Sequence, residues 1–130
     1  MKTRTPLTAR RGLSRAKRVE MNFLERVRTR CPSHRLVKEA LGEIYTQVGR
    51  FEESLEVDLS LAREHPRDPH VWYNLGCSFA LVGRKDEAFG ALLRAVGLGF
   101  RDFDWMRKDS NLEVLRTDPR FRTLLRQFAS

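Results

Sequence analysis

Apolar and polar residues follow one another along this chain with a helical period. Between residues 34 and 48 the apolar positions are three or four apart, namely Val37, Leu41, Ile44, Tyr45 and Val48. That spacing places them on one face of a helix. Gly49 follows directly, and glycine accepts the left-handed conformation in which many helices end. The pattern therefore predicts a short amphipathic helix that ends in a tight turn.

The same pattern occurs twice. The segments ALGEIYTQVGRFEESL (residues 40–55) and NLGCSFALVGRKDEAF (residues 74–89) match at Leu-Gly, at an aromatic residue and at Val-Gly-Arg, always 34 residues apart. Self-similarity at this period is typical of a solenoid of helical hairpins. Pro32 and Pro66 are also 34 residues apart. We therefore predict that residues 14–31 form the second helix of an incomplete repeat.

Helix starts and helix contacts can be predicted from single residues. Two dipeptides have the form of an N-cap followed by proline in the first helical turn, Asp68-Pro69 and Asp118-Pro119. Gly42 and Gly76 lie inside predicted helices, where each costs about 1 kcal/mol relative to alanine. We expect a neighbouring helix to need the space that their missing side chains leave.

The pattern that recurs every 34 residues resembles the tetratricopeptide repeat. The second unit matches it at Trp72, Leu75, Gly76, Phe79, Ala88 and Ala95, with Phe100 in place of the motif's proline. The first unit matches at Leu41, Gly42, Tyr45 and Pro66, and departs at Lys38, Ser54, Asp58 and Leu61. The tail DFDWMRKDSNLEVLRTDPRFRTLLRQF is similar to the segment that closes many bacterial proteins of this family.

The resemblance implies an all-α fold, an α-solenoid of two tetratricopeptide-like hairpins with flanking helices. The expected parts are a disordered basic arm (1–13), an N-terminal packing helix (14–31), two repeats (35–68 and 69–102) and a C-terminal capping segment (103–130). The packing helix is expected to dock through Ala16, Val19, Phe23 and Val27. The capping segment is expected to pack through Phe121, Leu124, Leu125 and Phe128.

The sequence contains no motif that indicates an enzyme. The three histidines, His34, His65 and His70, lack metal-ligand spacing, and no phosphate loop or nucleophile motif is present. No cofactor or metal is expected. Cys31 and Cys77 are too few for a disulfide scaffold, and no apolar run approaches the ~18 residues that span a bilayer. These features favour a cytoplasmic protein without a membrane partner.

Family resemblance implies a groove for a peptide or partner protein, lined by the first helix of each hairpin. Its expected residues are Leu36, Glu39, Glu43, Thr46 and Gln47 in repeat 1, and His70, Tyr73, Asn74, Cys77, Ala80 and Leu81 in repeat 2. Glu39 and Glu43 stand where the family's carboxylate clamps have Lys and Asn, which disfavours a C-terminal carboxylate as the ligand. A ligand with a basic group near these glutamates and an apolar group near Tyr73 fits better.

Three alternatives to a free groove stay open. The protein's own terminal helices could occupy it, the partner could bind the convex side, or two copies could form a homodimer, since two repeats make a small groove. Paired glutamates on a helix are often simply a solvated face.

Net charge suggests a rival function. The formal charge is +8, yet residues 1–34 hold ten basic against two acidic residues, and the rest of the chain sums to zero. Such an arm can contact nucleic-acid phosphates without sequence preference. The candidate residues are Lys2, Arg4, Arg10, Arg11, Arg15, Lys17 and Arg18. No aromatic residue is interleaved with them, and single-strand binders need stacking platforms. A solvated basic tail is the simpler interpretation.

Overall fold

A computed structural model of the chain describes residues 14–129, and in this range every regular element is a helix. The helices are α1 (Arg15–Arg30), α2 (Arg35–Gln47), α3 (Phe51–Glu64), α4 (Pro69–Leu81), α5 (Lys85–Gly97), α6 (Phe103–Lys108), a 3-10 helix (Ser110–Leu115) and α7 (Pro119–Phe128). The predicted all-α class is confirmed for these residues. Residues 1–13, the predicted basic arm, lie outside the described range.

Each helix packs on the next one along the chain, from α1 through α5. The C-terminal elements then return to the last hairpin: the 3-10 helix packs on α4, and α7 packs on α5. A continuous apolar core runs through the elements, from Met21 in α1 to Leu124 in α7. The short connections keep neighbours in sequence next to each other in space.

The turn after α2 recurs after α4 with the same geometry. Gly49 has φ 82° and Gly83 has φ 85°, the left-handed conformation predicted for them. In each turn the next residue's N–H bonds back into the helix, from Arg50 to the Tyr45 carbonyl (2.8 Å) and from Arg84 to the Phe79 carbonyl (2.9 Å). Both arginines also lie over those rings. The 34-residue period in sequence is thus a repeat of local structure.

The predicted helix starts are confirmed, and so is the predicted close contact at Gly76. Asp68 and Asp118 accept hydrogen bonds from backbone N–H groups in the first turns of α4 and α7. A Cβ atom on Gly76 would lie 2.9 Å from Leu92 Cδ2 and 3.3 Å from the Ala88 carbonyl oxygen. Only a glycine lets α4 and α5 approach this closely.

Hydroxyl and carboxyl groups fill the place where α2, α3 and α4 meet. Thr46, Ser54, Asp58 and Ser78 are fully buried. The Ser78 hydroxyl donates to Asp58, while Ser54 lies 2.9 Å from Thr46 and bonds the Gly42 carbonyl. Because buried polar groups are costly unless they are hydrogen-bonded, these residues stabilise one another. Ser54 and Asp58, two polar residues inside α3, are thus accommodated by hydrogen bonds.

Helix α1 docks with a different side from the one predicted. Met21 is 3% exposed, whereas Val19 is 61% and Phe23 is 56% exposed. Val27 packs partly against the core, as predicted, together with Leu24. The prediction that Ala16, Val19 and Phe23 face the first repeat was therefore wrong.

Polar partners on α2 explain the rotation of α1. The Lys17 ammonium group donates to Gln47 Oε1, and the Tyr45 hydroxyl donates to Glu25 Oε2 at 2.6 Å. Burial and the bond to Glu25 raise the pKa of Tyr45, so its hydroxyl stays a donor. Lys17, Met21 and Glu25 recur every fourth residue and share one side of α1. That side fits α2 in both polarity and shape.

The capping segment packs largely as predicted. Phe121 and Leu124 are buried, Leu125 is partly buried, and Phe128 is 39% exposed. Arg120 lies over the Phe89 ring at 4.5 Å and pairs with Asp86 at 2.7 Å, so two further contacts join α7 to α5.

Candidate functional site

Four residues form a partly open stripe along α2: Leu36, Glu39, Glu43 and Gln47. They are three or four residues apart and therefore share one helical face. Leu36 is 69% exposed, the largest exposure among the large apolar side chains of residues 14–129. We call this surface the α2 stripe. It presents one apolar group and two carboxylates within three helical turns.

Hydrogen bonds within α2 orient the two carboxylates of the stripe. Glu39 accepts from Arg35 at 3.1 Å, and Glu43 accepts from the Gln47 amide at 3.0 Å. The Glu39 side chain keeps about a quarter of its surface exposed. Both bonds are made within one helix and are only partly buried, so a ligand cation would compete with Arg35 and Gln47 for the carboxylates.

Arg35 also connects the entrances of the two hairpins. Its guanidinium pairs with Asp68, the N-cap of α4, as well as with Glu39. Burial alone would raise the pKa of Asp68, but hydrogen bonds from Arg35 and from the His70 N–H hold it below its ordinary value. The first turns of α2 and α4 are thereby held side by side, with His70 half-buried next to them.

The α4 half of the expected groove is covered by the protein's own C-terminal segment. Tyr73 is 1% and Cys77 is 2% exposed. The Tyr73 hydroxyl donates to Asp109 Oδ2 at 2.8 Å, and the Cys77 thiol donates to the same oxygen at 3.7 Å. Asp109 is itself buried and caps the 3-10 helix through the Asn111 N–H. Burial raises the pKa of Tyr73, which keeps its hydroxyl protonated as a donor.

Phe100 completes the cover over α4. It is 3% exposed, and its ring stacks on Tyr73 with centroids 4.3 Å apart. His70 meets the same ring edge-on at 5.6 Å. The chain that leaves α5 thus crosses the face of α4, and Phe100 packs there against Tyr73.

The remaining expected groove residues divide by burial. Thr46 and Ala80 are buried, while Asn74 and Leu81 are partly exposed. Leu81 borders an apolar depression with Phe51 and Val114. The open parts of the expected groove are therefore the α2 stripe and, on α4, His70, Asn74 and Leu81, each of which is partly exposed.

The basic candidate residues do not form one surface in the described range. Arg15 and Arg18 are exposed at the start of α1, whereas Lys17 is partly buried and bonds to Gln47 of the α2 stripe. The other four candidates, Lys2, Arg4, Arg10 and Arg11, lie outside the described residues. Of the candidates that the structure describes, Arg15 and Arg18 are the ones open to a ligand.

Residues 14–129 contain neither a candidate metal site nor a candidate membrane span. No set of three or more His, Cys, Asp or Glu side chains in this range could hold a metal ion. None of these helices has the length and apolar content needed to cross a bilayer. Cys31 and Cys77 are both thiols and form no disulfide with each other.

Sequence reasoning missed Asp109. Asp109 precedes a serine at the start of an irregular segment, which is a recognisable N-cap signal. Its second role is to accept hydrogen bonds from Tyr73 and Cys77, which are 36 and 32 residues away in the sequence. A contact at that separation depends on how the chain folds back. Lys17 was assigned to the nucleic-acid candidates, and its bond to Gln47 was likewise not foreseen.

Comparison with known proteins yields one distant relative. The chain is 29% identical over 119 residues to a chloroplastic protein from Arabidopsis thaliana. The match covers 88% of this chain and 35% of that protein, so the chain spans about a third of the relative's length. No family model matches the chain, and no solved structure matches it.

Proposed function

We propose that this protein is a non-catalytic protein-interaction module built from two tetratricopeptide-like hairpins, and that the α2 stripe binds a segment of a partner protein. The recurrence of the Gly49 turn at Gly83 supports the hairpin assignment. So does the contact of Gly76 with Leu92, at the Leu-Gly position of the motif. In that family the first helices line the groove, which assigns the α2 stripe to it.

One observation carries the choice of ligand. Leu36 is 69% exposed on the same helical face as two carboxylates that accept hydrogen bonds from neighbours within α2. An extended peptide with an apolar residue beside a Lys or Arg complements this surface. The apolar residue covers Leu36, and the cation bridges Glu39 and Glu43.

In this proposal Tyr73 and Cys77 of α4 have a structural role and not the ligand-binding role that was predicted. Because Tyr73 and Cys77 hold the C-terminal segment, they do not contact the ligand in this proposal. Their role is to close the last hairpin, which leaves the α2 stripe and Leu81 as the binding surface. The cytoplasm stays the proposed compartment, since a chain whose two cysteines form no disulfide with each other suits a reducing environment.

A peptide-display library screened against the full chain tests the proposal. We expect enrichment of peptides with Lys or Arg next to a large apolar residue. The double variant Glu39→Lys with Glu43→Lys should lose these peptides, and the loss should shrink as salt rises, because it acts by charge repulsion. Leu36→Ala should weaken binding by on the order of 1 kcal/mol.

The control makes the same charge change elsewhere. Glu52 and Glu56 are exposed on α3 and four residues apart, so Glu52→Lys with Glu56→Lys alters net charge equally without touching the α2 stripe. Two results would contradict the proposal: no enrichment of basic peptides, or equal loss of binding in both double variants.

A further inference from the structure

The side of α1 that faces away from α2 carries a second exposed stripe. Its members are Arg15, Val19, Phe23, Arg26 and Arg30, three or four residues apart and all exposed. Phe23 and Val19 form the apolar centre, and arginines occupy both ends. We call this surface the α1 outer stripe. It borders a depression that Phe23, Arg26, Val27 and Arg30 line.

The corresponding face of α3 is covered. The residue 34 positions after Phe23 is Val57, which is fully buried. Seven residues further along the same face, Glu64 accepts a hydrogen bond from Lys38 of α2 at 2.8 Å. Helix α2 therefore lies against the part of the α3 face that corresponds to Phe23 and Arg30 of the α1 outer stripe.

The corresponding face of α5 is covered as well. Ala91, 68 positions after Phe23, is 4% exposed, and Arg94 on the same face lies over the Trp72 ring of α4 at 4.9 Å. In both hairpins the first helix thus packs on this face of the second helix. Within residues 14–129 no helix takes that position against α1.

Charge disfavours two candidate partners for the α1 outer stripe, namely a second copy of α1 and residues 1–13 of the same chain. If two copies of α1 packed antiparallel about residues 22 and 23, Arg15 would lie opposite Arg30 at both ends, where like charges repel. Residues 1–13 of the chain contain four basic and no acidic residues, so they repel the arginines too. The C-terminal elements pack on α4 and α5 instead.

We propose that the α1 outer stripe docks an acidic amphipathic helix of a partner protein, in the position against α1 that α2 takes against α3. Apolar residues of the partner helix would cover Val19 and Phe23. Its carboxylates would pair with Arg26 and Arg30 at one end and with Arg15 at the other. Helix-in-groove recognition by such anchors is an established mode of binding. This surface selects acidic ligands and the α2 stripe selects basic ones, so the two proposals fail separately.

Two synthetic helical peptides of about 20 residues serve as probes. The first has Leu at i, i+3, i+4 and i+7 positions flanked by Glu, and the second has Lys in place of every Glu. A scrambled version of the first peptide has the same composition without the stripe. Fluorescence anisotropy with the full chain measures binding of each. We expect the acidic helix to bind, the scrambled peptide to bind at least about tenfold more weakly, and added salt to reduce the affinity of the acidic helix.

Variants of the stripe locate the site. Phe23→Ala should weaken the acidic peptide at least about tenfold, because Phe23 is the apolar anchor. Leu93→Ala is the matched control, since Leu93 is also about half exposed but lies on α5. Arg26→Glu with Arg30→Glu should weaken the acidic peptide at least about tenfold, and this loss should shrink as salt rises, because it acts by charge repulsion. Circular dichroism checks that the variants keep their helix content.

Three outcomes would overturn the proposal. The first is that the acidic peptide fails to bind the full chain. The second is that Phe23→Ala and Leu93→Ala change its affinity by the same amount. The third is a dimer in sedimentation experiments that Phe23→Ala dissociates, because a second copy of the chain would then be the occupant.

Discussion

Substitution of Gly76 by alanine tests the contact between α4 and α5 most directly. The new Cβ atom would lie 2.9 and 3.0 Å from the Leu92 side chain and 3.3 Å from the Ala88 carbonyl oxygen. Leu92 is fully buried, so any shift of its side chain must be accommodated by the core around it. The carbonyl belongs to the backbone of α5 and moves only if the helix moves. The substitution therefore forces α4 and α5 apart or distorts Leu92.

Two opposing terms set the size of the effect. Alanine is favoured over glycine inside a helix by about 1 kcal/mol. Overpacking of a filled core costs about 1 to 3 kcal/mol. The net change for Gly76→Ala thus lies between about zero and 2 kcal/mol of destabilisation. Because the two terms overlap in size, the variant alone does not isolate the contact, and a reference glycine is needed.

Gly90 is the matched reference. It lies inside α5, it is exposed, and a Cβ atom there would meet nothing within 4 Å. Gly90→Ala should therefore keep the helix gain of about 1 kcal/mol without any clash. The difference between the two variants gives the cost of overpacking, which we expect to be about 1 to 3 kcal/mol. Each kcal/mol should correspond to roughly 4 °C in Tm for a chain of this size.

Urea and thermal unfolding of both variants provide the measurement, with a double variant as a further check. Leu92→Ala alone should cost about 2 to 5 kcal/mol through the cavity it leaves. Combined with Gly76→Ala, the cost should be smaller than the sum, since the new methyl group fills part of that cavity. If Gly76→Ala stabilises the protein as much as Gly90→Ala does, the proposed contact does not constrain the helices.

Two further predictions concern the C-terminal segment. Tyr73→Phe removes a donor from the buried Asp109 carboxylate and should cost about 1 to 3 kcal/mol in urea unfolding; an unchanged midpoint would mean that Asp109 does not need this bond. The Arg120 side chain and the Arg120 N–H lower the pKa of Asp118 from 3.8 to about 2. Asp118 thus contributes stability that is present above pH 3.8 and lost as pH falls through about 2. Asp118→Asn should therefore be less stable than the wild type at neutral pH and converge with it near pH 2, and a gap that persists at about pH 2 would contradict this assignment.

Local signals in the sequence were sufficient to predict the ends of the helices. Gly49 and Gly83 set turns by their own conformational freedom, and Asp68 caps α4 with its own side chain. The rotation of α1 could not be predicted in the same way. Its two sides are similarly apolar, with Val19 and Phe23 on one and Met21 and Leu24 on the other. Contacts with distant residues on α2 decide between them.

The candidate site shows the same division. Leu36, Glu39 and Glu43 share a face because of helical spacing, which sequence alone determines. The cover over Tyr73 and Cys77 depends on Asp109 and on the 3-10 helix that follows it (Ser110–Leu115), a segment with no regular apolar period. A segment without periodicity gives no basis for predicting which surface it will pack on.

The buried hydroxyl and carboxyl groups where α3 meets α4 determine which helical hairpin can follow which. Asp58 of α3 accepts the hydrogen bond of Ser78 on the following helix. The residues of α5 that correspond to Ser54 and Asp58 are Ala88 and Leu92. If the second hairpin were duplicated to lengthen the protein, the new serine would face alanine and leucine and find no acceptor there. The hairpins are therefore not interchangeable modules, and a longer version would need a matching acceptor engineered at each added junction.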